Sequence, residues 1–499
     1  MRVPAIIAIL AVAACQGDRP EASARSAGQP VTQAGAFDLV TSGGRVMDPE
    51  TDLDAIRNVG VVDGRIPAVT EDVLEGAESI DASGLVVAPG FIDLHAHGQD
   101  PVSARLQAAD GVTTALEMEI GVFPVAEWIA TREGQAIINF GATVSHPGAR
   151  VMVVDGIRTM HWPTLTEEES ARLDAGMGVY AELDEDRIAE VIELLERGLT
   201  EGGLGIGFGI TYTPGASRLE ILRTFEMAAA RGVPAYVHLR GRDSGGTLGA
   251  FQEVIADAAI TGASLHIVHM NSSSGDLAPI TLGMMRGARE QGLDITTEAY
   301  PYTAGSTRIE SAAYDGWEDN PNADYGRLQW AATGERLTAE TFRQYRATGG
   351  WVIAHGRTEE MNEWVTVQPD VMVASDGIPF LYGPAHPRGA GTYARVLGRY
   401  VRERGALSLM DALSKMTIQP ARRVEDTAPV MARKGRVQVG ADADLTLFDP
   451  ETVIDRSTYA DGDEPSAGII HVIVEGRFVV RDGEVVDGVF PGKAIRGTG

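Results

Sequence analysis

Residues 89–98 read PGFIDLHAHG, a short apolar run that ends in two histidines separated by one residue. Alternate residues of a strand share a face, so the imidazoles of His95 and His97 can point at one metal ion. Two further apolar runs end in histidine, AYVHLRG at His238 and LHIVHMNSS at His269, and VMVASDG places Asp376 after a third. Histidines and an acid that recur where strands end predict a metal site at one rim of a parallel sheet.

The central part of the chain alternates short apolar runs with helical stretches. This alternation predicts a parallel sheet with crossover helices, closed as a (β/α)8 TIM-type barrel of the α/β class. The candidate barrel strands are residues 90–94, 113–119, 136–142, 204–209, 235–239, 264–269, 295–299, 351–354 and 371–374. These nine candidates compete for eight places, so we expect 136–142 or 351–354 to lie elsewhere. The polar, irregular stretch 303–350 is expected to form a lid over the barrel mouth.

Both chain ends show a different pattern. FDLVTSGGRV from residue 37, GRVQVGADADLTLFDP from 435 and IIHVIVEGRFVVRDGEVV from 469 are short strands divided by Gly and Asp turns. Such a pattern is typical of a β-sandwich. We therefore expect one small β-sandwich domain assembled from residues 36–89 and 430–499, with the barrel spanning 90–429.

The first residues have the features of an export signal. Arg2 precedes an apolar run too short to span a bilayer, and residues 12–15 read VAAC, which resembles the bacterial lipobox. Residues 1–15 are expected to be a signal peptide with a lipobox, and 16–35 a flexible polar tether. The protein would then be periplasmic and anchored to a membrane through an acylated Cys15, the only cysteine in the chain. An ordinary signal peptide that happens to contain Cys15 is the alternative.

The net charge of the chain limits the kinds of molecule that it can bind. The 499-residue chain has 42 Lys and Arg against 70 Asp and Glu, a formal net charge of −28. A surface this acidic repels the phosphates of nucleic acid, so nucleic-acid binding is excluded. The expected partner is a small molecule, and the oligomeric state stays open.

A site for two metal ions needs a ligand that joins them. The lysines Lys415, Lys434 and Lys493 lie outside the candidate barrel strands, so a carboxylated lysine is not available as the bridge. The candidate strand TTALEMEIG instead ends with Glu117 and Glu119 on one face. A carboxylate buried at a barrel mouth is costly unless it is paired or binds metal. We therefore predict Glu119 as the bridging ligand, with Glu117 or a purely hydrogen-bonding role for both as alternatives.

The remaining histidines give weaker signals. His266 has the opposite strand parity to His269 and is expected to face the helices, whereas His355 could reach the pocket. We expect structural roles for His146, His161 and His471, and a role for His386 in positioning its neighbour Arg388.

Several motifs carry a family resemblance. PGFIDLHAHG, GVTT, VHLRG, ASDG and GADADLTLFDP are similar to motifs of the amidohydrolase superfamily. GGLGIGFGITYTPG, YPYTAGST and HPRGAGTYARVLGRY resemble, more narrowly, its N-acyl-D-amino-acid deacylase branch, the D-aminoacylases. The resemblance extends from about residue 37 to residue 486.

The resemblance implies a metal-dependent hydrolase that cleaves the amide bond of N-acyl-D-amino acids, including acidic ones such as N-acyl-D-glutamate, with one or two Zn²⁺ ions. It implies metal binding by His95, His97, His238 and His269, an acid/base role for Asp376, and substrate contacts for Tyr300, Ser306 and Arg388. Two positions depart from the family. The deacylase GNCG, with its bridging cysteine, is EMEIG here, and the aspartate before YPY is Glu298.

On this interpretation a metal-activated water attacks the amide while Asp376 transfers the proton. Arg388 would bind the α-carboxylate in a bidentate fork, and Tyr300 would stabilise the oxyanion. Arg240 is expected to bind a second carboxylate, such as a D-glutamyl side chain. The alternatives are a cyclic-amide hydrolase of the hydantoinase or dihydropyrimidinase type, a dipeptidase of the same superfamily, and a metal-binding lipoprotein without catalysis.

Overall fold

The computed structural model describes residues 37–157, 176–241, 246–381, 383 and 385–499. The predicted signal peptide, the predicted tether and His161 lie outside these ranges. Along the described part of the chain, no helix is long and apolar enough to cross a membrane.

Strands and helices alternate through most of the described chain. The strands are β1 Phe37–Asp48, β2 Leu53–Val62, β3 Arg65–Thr70, β4 Gly76–Asp81, β5 Val86–Pro89, β6 Phe91–Asp93, β7 Val112–Val122, β8 Asn139–Ser145, β9 Ile206–Gly209, β10 Ala235–His238, β11 Leu265–Ile267, β12 Ile295–Ala299, β13 Gly305–Arg308, β14 Leu328–Trp330, β15 Trp351–Ala354, β16 Met372–Val373, β17 Leu445–Phe448, β18 Ile469–Val474, β19 Arg477–Arg481 and β20 Glu484–Val485. The α-helices are α1 Pro101–Ala109, α2 Val125–Ala130, α3 His146–Asp155, α4 Glu185–Thr200, α5 Arg218–Arg231, α6 Gly246–Thr261, α7 Met270–Ser274, α8 Ala278–Glu290, α9 Ala339–Thr348, α10 Glu359–Thr366, α11 Arg388–Arg395, α12 Leu409–Met416 and α13 Ile418–Glu425.

Eight parallel strands form the barrel. β6 to β12 pair in sequence order, and β16 follows β12 at the end of the sheet. The first and last strands meet where Ser375 N donates to Asp93 Oδ1 over 3.0 Å and where Ala96 bridges Gly377. The barrel is therefore nearly closed, which confirms the predicted (β/α)8 fold. Closure brings the carboxyl ends of all its strands to one rim.

Capping residues set where the barrel helices begin and end. α4 begins after Asp184, whose carboxylate accepts the amide hydrogen of Arg187 over 3.0 Å. α5 begins after Ser217, whose hydroxyl accepts from the amide of Glu220, and it ends at Gly232 with a φ of 64°. The caps satisfy amide hydrogens that have no partner within the helix, and the left-handed glycine stops it. The chain can then turn back into the next strand.

One of the nine strand candidates lies outside the barrel. Residues 136–142 lead into β8, which begins at Asn139, whereas Trp351–Ala354 is the central strand of a separate antiparallel sheet in the order β13-β15-β14. This strand is apolar because it packs in a second small core that includes Phe342. The stretch 303–350, expected to be irregular, therefore contains two strands and a helix.

Strands from both chain ends form one continuous nine-stranded sheet in the order β20-β19-β18-β17-β5-β1-β2-β3, with β4 paired to β1. This confirms that the two ends build a single small β-domain. Successive residues of a strand point to opposite faces of this sheet, and the two faces pack against different cores. Val87 belongs to the sheet's own core, whereas Val86 and Ala88 share a core with barrel residues such as Ala108 and Tyr393. The β-domain and the barrel are therefore packed on each other through apolar side chains.

A buried lysine links the β-domain to the barrel. The Lys434 ammonium donates to Asp444 Oδ2 over 2.7 Å and to Glu475 Oε1 over 2.9 Å, and it lies 3.0 Å from Asp442 Oδ2. Asp444 Oδ2 also accepts from Asn139 Nδ2 of β8 over 2.9 Å. Burial alone would lower the pKa of Lys434, but the three acids raise it above its usual value. The lysine is therefore charged and neutralises a cluster of acids at the domain junction.

We expect Lys434→Met to lower the free energy of unfolding by about 3–5 kcal/mol, because it leaves the buried carboxylate of Asp444 without its cationic partner. Lys493→Met is the matched control. Lys493 also pairs with Glu475, but its side chain is 67% exposed, so its loss should cost at most about 1 kcal/mol. Urea denaturation of the two variants measures both changes. Equal losses would show that the buried lysine contributes no more than the exposed one.

Candidate active site

Two clusters of possible metal ligands lie at the barrel rim. The first consists of His95, His97 and Asp376, whose ligand atoms all lie within 4.8 Å of one another. The Nε2 atoms of the two histidines are 3.1 Å apart, and Asp376 Oδ1 lies 3.5 Å from His95 Nε2 and 3.6 Å from His97 Nε2. The histidines follow β6 and the aspartate follows β16, so this cluster forms where the barrel closes.

The second cluster consists of Glu119, His238 and His269, whose ligand atoms also lie within 4.8 Å of one another. His238 Nδ1 lies 3.0 Å from His269 Nε2 and 2.5 Å from Glu119 Oε1. His269 Nε2 is 3.0 Å from the same carboxylate oxygen. The structure therefore brings together all the residues predicted from the sequence to bind metal.

Glu119 lies between the two clusters. Its Oε1 faces His238 and His269, while its Oε2 lies 3.2 Å from His95 Nε2 and 2.9 Å from His97 Nε2. One carboxylate thus offers one oxygen to each cluster, as a ligand shared by two ions must. Burial alone would raise the pKa of Glu119, but the neighbouring His238 and His95 hold it well below its usual value. The carboxylate is therefore ionised and able to bind metal.

Glu117, the alternative bridge, lies to one side of the clusters. Its Oε2 is 2.7 Å from His97 Nδ1, on the opposite side of the ring from the atom that faces Asp376. Burial alone would lower the pKa of His97, but Glu117 and Glu119 raise it to about 10. Glu117 therefore orients His97, and the geometry favours Glu119 as the bridge.

Glu298 accepts hydrogen bonds from one histidine of each ligand cluster. Its Oε1 accepts the Nδ1 hydrogen of His95 over 2.9 Å and the amide hydrogen of His269 over 2.7 Å, and its Oε2 lies 2.6 Å from His266 Nε2. Donation from Nδ1 leaves His95 Nε2 as the atom that can bind metal. The sequence marked Glu298 only as a departure from the deacylase aspartate. Glu298 lies near the end of β12, two residues before Tyr300, so the two side chains share a strand face. This shared face could have predicted from the sequence that Glu298 belongs to the site.

The expected orientation of His266 is wrong. Its imidazole lies against Glu298, beside the metal clusters and not among the helices. The parity argument fails because β11 ends at Ile267 and His269 has a φ of 37°, in the left-handed region. That backbone turn breaks the alternation, so His266 and His269 both approach the same carboxylate. Asp376 has a φ of 50°, so two residues of the site adopt a backbone conformation that side chains disfavour.

Arg388 is a buried cation next to Asp376. Only 1% of the residue is exposed, and its Nη2 lies 2.7 Å from Asp376 Oδ1. Its Nε and Nη1 are buried but have no hydrogen-bond acceptor among the described residues. Because Arg388 also lines the cavity of the site, these two donors are available to a ligand.

The segments around Arg388 hold it in place. His386 Nδ1 accepts the backbone amide hydrogen of Arg388 over 3.1 Å, as expected from its position in the sequence. The carbonyl of Ser306 accepts from Arg388 Nη2 over 3.4 Å. The Ser306 hydroxyl, a predicted substrate contact, donates to Val352 O over 2.8 Å, so its hydrogen is used within the three-stranded sheet.

Tyr300 is buried beside Arg388, whose guanidinium carbon lies 4.6 Å from the centroid of its ring. The Tyr300 hydroxyl accepts from Arg357 Nη2 over 2.9 Å. Sequence reasoning did not identify Arg357. No local pattern marks it, because it lies 57 positions away from the tyrosine along the chain.

One cavity of about 870 Å³ opens onto these groups. Its polar lining includes His97, Glu119, His238, His269, Tyr300, Ser306, Asp376 and Arg388, and its apolar lining includes Ile120, Val122, Trp128 and Val151. The volume is in the range of small-molecule sites. Residues of both ligand clusters and the predicted substrate-binding residues therefore line the same cavity.

Arg240 is paired elsewhere. Its Nε and Nη2 donate to Glu253 over 3.0 and 2.7 Å, and its Nη1 donates to Ala216 O over 2.9 Å. The expected role in binding a second carboxylate is therefore wrong, because a carboxylate of the protein already occupies this guanidinium.

Three further histidines of the described chain belong to neither ligand cluster: His146, His355 and His471. His355 lines the cavity, but its Nε2 pairs with Gln329 Oε1 at 3.0 Å. His146 Nε2 lies 2.8 Å from Glu220 Oε1 in the buried core. His471 Nδ1 accepts an amide hydrogen within the β-domain. The contacts of His146 and His471 are structural, as expected.

The donor set fits zinc. Each cluster combines two imidazoles with one carboxylate, and imidazole nitrogen with carboxylate oxygen is a common ligand set of catalytic zinc. A bridging carboxylate is a harder ligand than the thiolate of the deacylase motif, and zinc accepts both.

The amidohydrolase family model matches residues 78–145 and 278–480. The chain belongs to the amidohydrolase family. The N-acyl-D-glutamate deacylase of Alcaligenes xylosoxydans xylosoxydans is 29% identical over 462 residues, which cover 88% of this chain and 93% of the relative. The D-aminoacylase of the same organism is 28% identical over 490 residues, with 88% and 94% covered.

Solved structures of this branch resemble the amidohydrolase closely. An N-acyl-D-glutamate deacylase from Bordetella bronchiseptica, complexed with zinc and a phosphonate inhibitor, matches with a TM-score of 0.77 at 26% identity over 92% of this chain and 99% of that one. A D-aminoacylase described with a binuclear metal centre has the same TM-score and identity, with 92% and 100% covered. The resemblance to the deacylase branch is thus confirmed. This amidohydrolase is therefore a hydrolase of carbon–nitrogen bonds, with two clusters of possible metal ligands.

Glu298→Gln should weaken zinc binding about 10- to 100-fold, because glutamine offers one acceptor oxygen in place of the two that orient the histidines. Zinc retained after dialysis against a graded chelator, measured by mass spectrometry, reports the change. Glu220→Gln is the matched control, since it breaks another buried carboxylate–histidine pair, with His146. Equal zinc loss in both variants, or none in Glu298→Gln, would contradict the assigned support role.

Proposed function

We propose that this amidohydrolase removes the acyl group from N-acyl-D-amino acids with the help of one or two Zn²⁺ ions. The observation that carries the proposal is the guanidinium of Arg388. It is buried beside Asp376 and keeps two N–H donors without an acceptor among the described residues. The N–H donors of a guanidinium make strong, charge-assisted hydrogen bonds to carboxylates, so these two can anchor a substrate with a free α-carboxylate next to the acid/base group.

The relatives support the same substrate class. They are deacylases of N-acyl-D-glutamate and other D-amino acids by name, and one structure holds zinc with a phosphonate mimic of the tetrahedral intermediate. The binuclear centre of D-aminoacylase supports a site for two ions. His95, His97 and Asp376 would hold one ion, His238 and His269 the other, and Glu119 would be shared between them.

Bound zinc would supply a water with a pKa near neutrality and polarise the scissile carbonyl. Asp376 Oδ1 lies beside both histidines of the first cluster. From there it can take a proton from the water and pass it to the leaving nitrogen. Arg388 contacts the same oxygen and so aligns the acid/base group with the α-carboxylate. The Tyr300 hydroxyl accepts from Arg357, which leaves its own hydrogen free to stabilise the oxyanion.

Hydrolysis of cyclic amides is the second candidate. A dihydroorotase from Streptococcus pneumoniae is 26% identical over 430 residues, which cover 82% of this chain and 90% of the relative. A D-hydantoinase shares the fold at a TM-score of 0.59. Linear N-acyl-D-amino acids are favoured because the deacylase structures match more closely, with a TM-score of 0.77.

We expect the zinc-loaded protein to release D-amino acids from N-acetyl-D-amino acids and to leave N-acetyl-L-amino acids and hydantoins uncut. Asp376→Asn should lower kcat about 100- to 10,000-fold, because it removes the proton carrier. Amino-acid release is measured by chromatography, and zinc content is checked in both proteins, so that a lost ion is not mistaken for a lost base. Cleavage of hydantoins alone, or of L-substrates alone, would reject the proposal.

We also propose that the protein is an exported, periplasmic lipoprotein anchored through Cys15. The support is the sequence of residues 1–15, an apolar run that ends in VAAC. Because acylation of the cysteine creates the anchor, residues 16–35 would tether the β-domain and the barrel to the membrane.

Metabolic labelling with a palmitate analogue should mark the wild-type protein and leave Cys15→Ser unmarked, because Cys15 is the only thiol in the chain. The double variant Cys15→Ser/Ser23→Cys restores a thiol outside the lipobox and should also stay unmarked. Label on either variant, or no label on the wild type, would reject acylation at Cys15.

A further inference from the structure

Arg357 is a cavity arginine with only neutral partners. It follows β15, and its guanidinium donates to the Tyr300 hydroxyl over 2.9 Å, to the Ser272 hydroxyl over 3.3 Å and to Tyr302 O over 3.3 Å. Its Nε is buried and has no acceptor among the described residues. Neutral oxygens do not compensate its charge, so the guanidinium can still bind an anion.

The other arginines that line the same cavity differ from Arg357, and one of them, Arg327, is exposed to solvent. Arg388 pairs with Asp376 at 2.7 Å, and Arg308 pairs with Glu310. Arg357 lacks such a partner among the described residues. Among the described residues, Arg357 is therefore a half-buried arginine of the cavity whose charge no acidic side chain compensates.

The charge of Arg357 acts on a defined part of the cavity. The pKa of His355 is lowered to about 4, mainly by burial and further by the positive charges of Arg336 and Arg357. Arg357 and Arg388 lie 5.2 and 4.6 Å from the centroid of the same Tyr300 ring. Both cations therefore lie close to Tyr300, and all three side chains line the same cavity.

We propose that Arg357 binds a second anionic group of the substrate and thereby selects N-acyl-D-amino acids with an acidic side chain. The inference rests on the proposed function, in which Arg388 binds the α-carboxylate. A dicarboxylate pairs with both cations at once, whereas a neutral side chain covers Arg357 without compensating its charge. Arg357 thus takes the role that the sequence suggested for Arg240, which is paired with Glu253.

The test compares two substrates of nearly equal shape, N-acetyl-D-glutamate and N-acetyl-D-glutamine. We expect the zinc-loaded wild type to prefer the glutamate substrate in kcat/KM. Arg357→Gln should lose about 10- to 100-fold on glutamate, mainly through KM, and less than about threefold on glutamine. Arg308→Gln is the matched control, because Arg308 lines the cavity but is neutralised by Glu310, and it should change neither value by more than about threefold.

Two outcomes of this assay would overturn the inference. One is an equal loss on both substrates, which would show that Arg357 only positions Tyr300. The other is a wild-type enzyme with no preference for glutamate. Arg357→Lys keeps the charge but not the planar fork, so it should retain part of the preference.

A binding measurement separates this inference from the proposed function. Calorimetric titration of zinc-loaded Asp376→Asn with each substrate measures affinity without turnover, with and without Arg357→Gln. A preference for the glutamate ligand that depends on Arg357, with no hydrolysis by the wild type, would support the inference and reject the proposed function. Hydrolysis of both substrates without that preference would do the reverse.

Discussion

Glu119 places one buried carboxylate among four imidazoles, two on each of its oxygens. A carboxylate at this depth is costly unless donors or cations surround it. The four histidines follow β6, end β10 and follow β11, while Glu119 itself lies on β7. The contact therefore forms only after separate parts of the barrel have come together. The ligand set is therefore complete only in the folded barrel, so metal binding is coupled to the integrity of the fold.

The same coupling explains how the site tolerates strain. His269 and Asp376 have left-handed backbones, with φ of 37° and 50°, and such conformations cost about 1–3 kcal/mol each. Each is secured by a buried charged group. Glu298 accepts the amide hydrogen of His269 over 2.7 Å, and Arg388 contacts the carboxylate of Asp376 at 2.7 Å. The groups that orient the predicted metal ligands and substrate therefore also stabilise the backbone that presents them.

Local patterns in the sequence predict the barrel and the histidines at its rim, because apolar runs and strand ends involve neighbouring residues only. They fail where the outcome depends on a distant partner. The run Trp351–Ala354 has the composition of a barrel strand, since a short apolar run reports burial and not which strands lie beside it. Parity misplaces His266 because one left-handed residue, His269, breaks the alternation. The sequence pattern around Arg240 does not show that folding brings Glu253 onto one edge of its guanidinium and the carbonyl of Ala216 onto Nη1.

The strand Trp351–Ala354, which lies outside the barrel, belongs to the segment that we propose to determine specificity. The barrel rim supplies the metal clusters, whereas the inserted sheet β13-β15-β14 supplies Ser306 and leads into Arg357. Segments at this face of a (β/α)8 barrel can change without disturbing the strands, so one metal rim can serve different substrates. Deacylases and a hydantoinase indeed share the fold, and the fold alone does not choose between them. In the proposal made above, the choice follows from the charges around the cavity, where Arg308 has an acidic partner and the partners of Arg357 among the described residues are neutral.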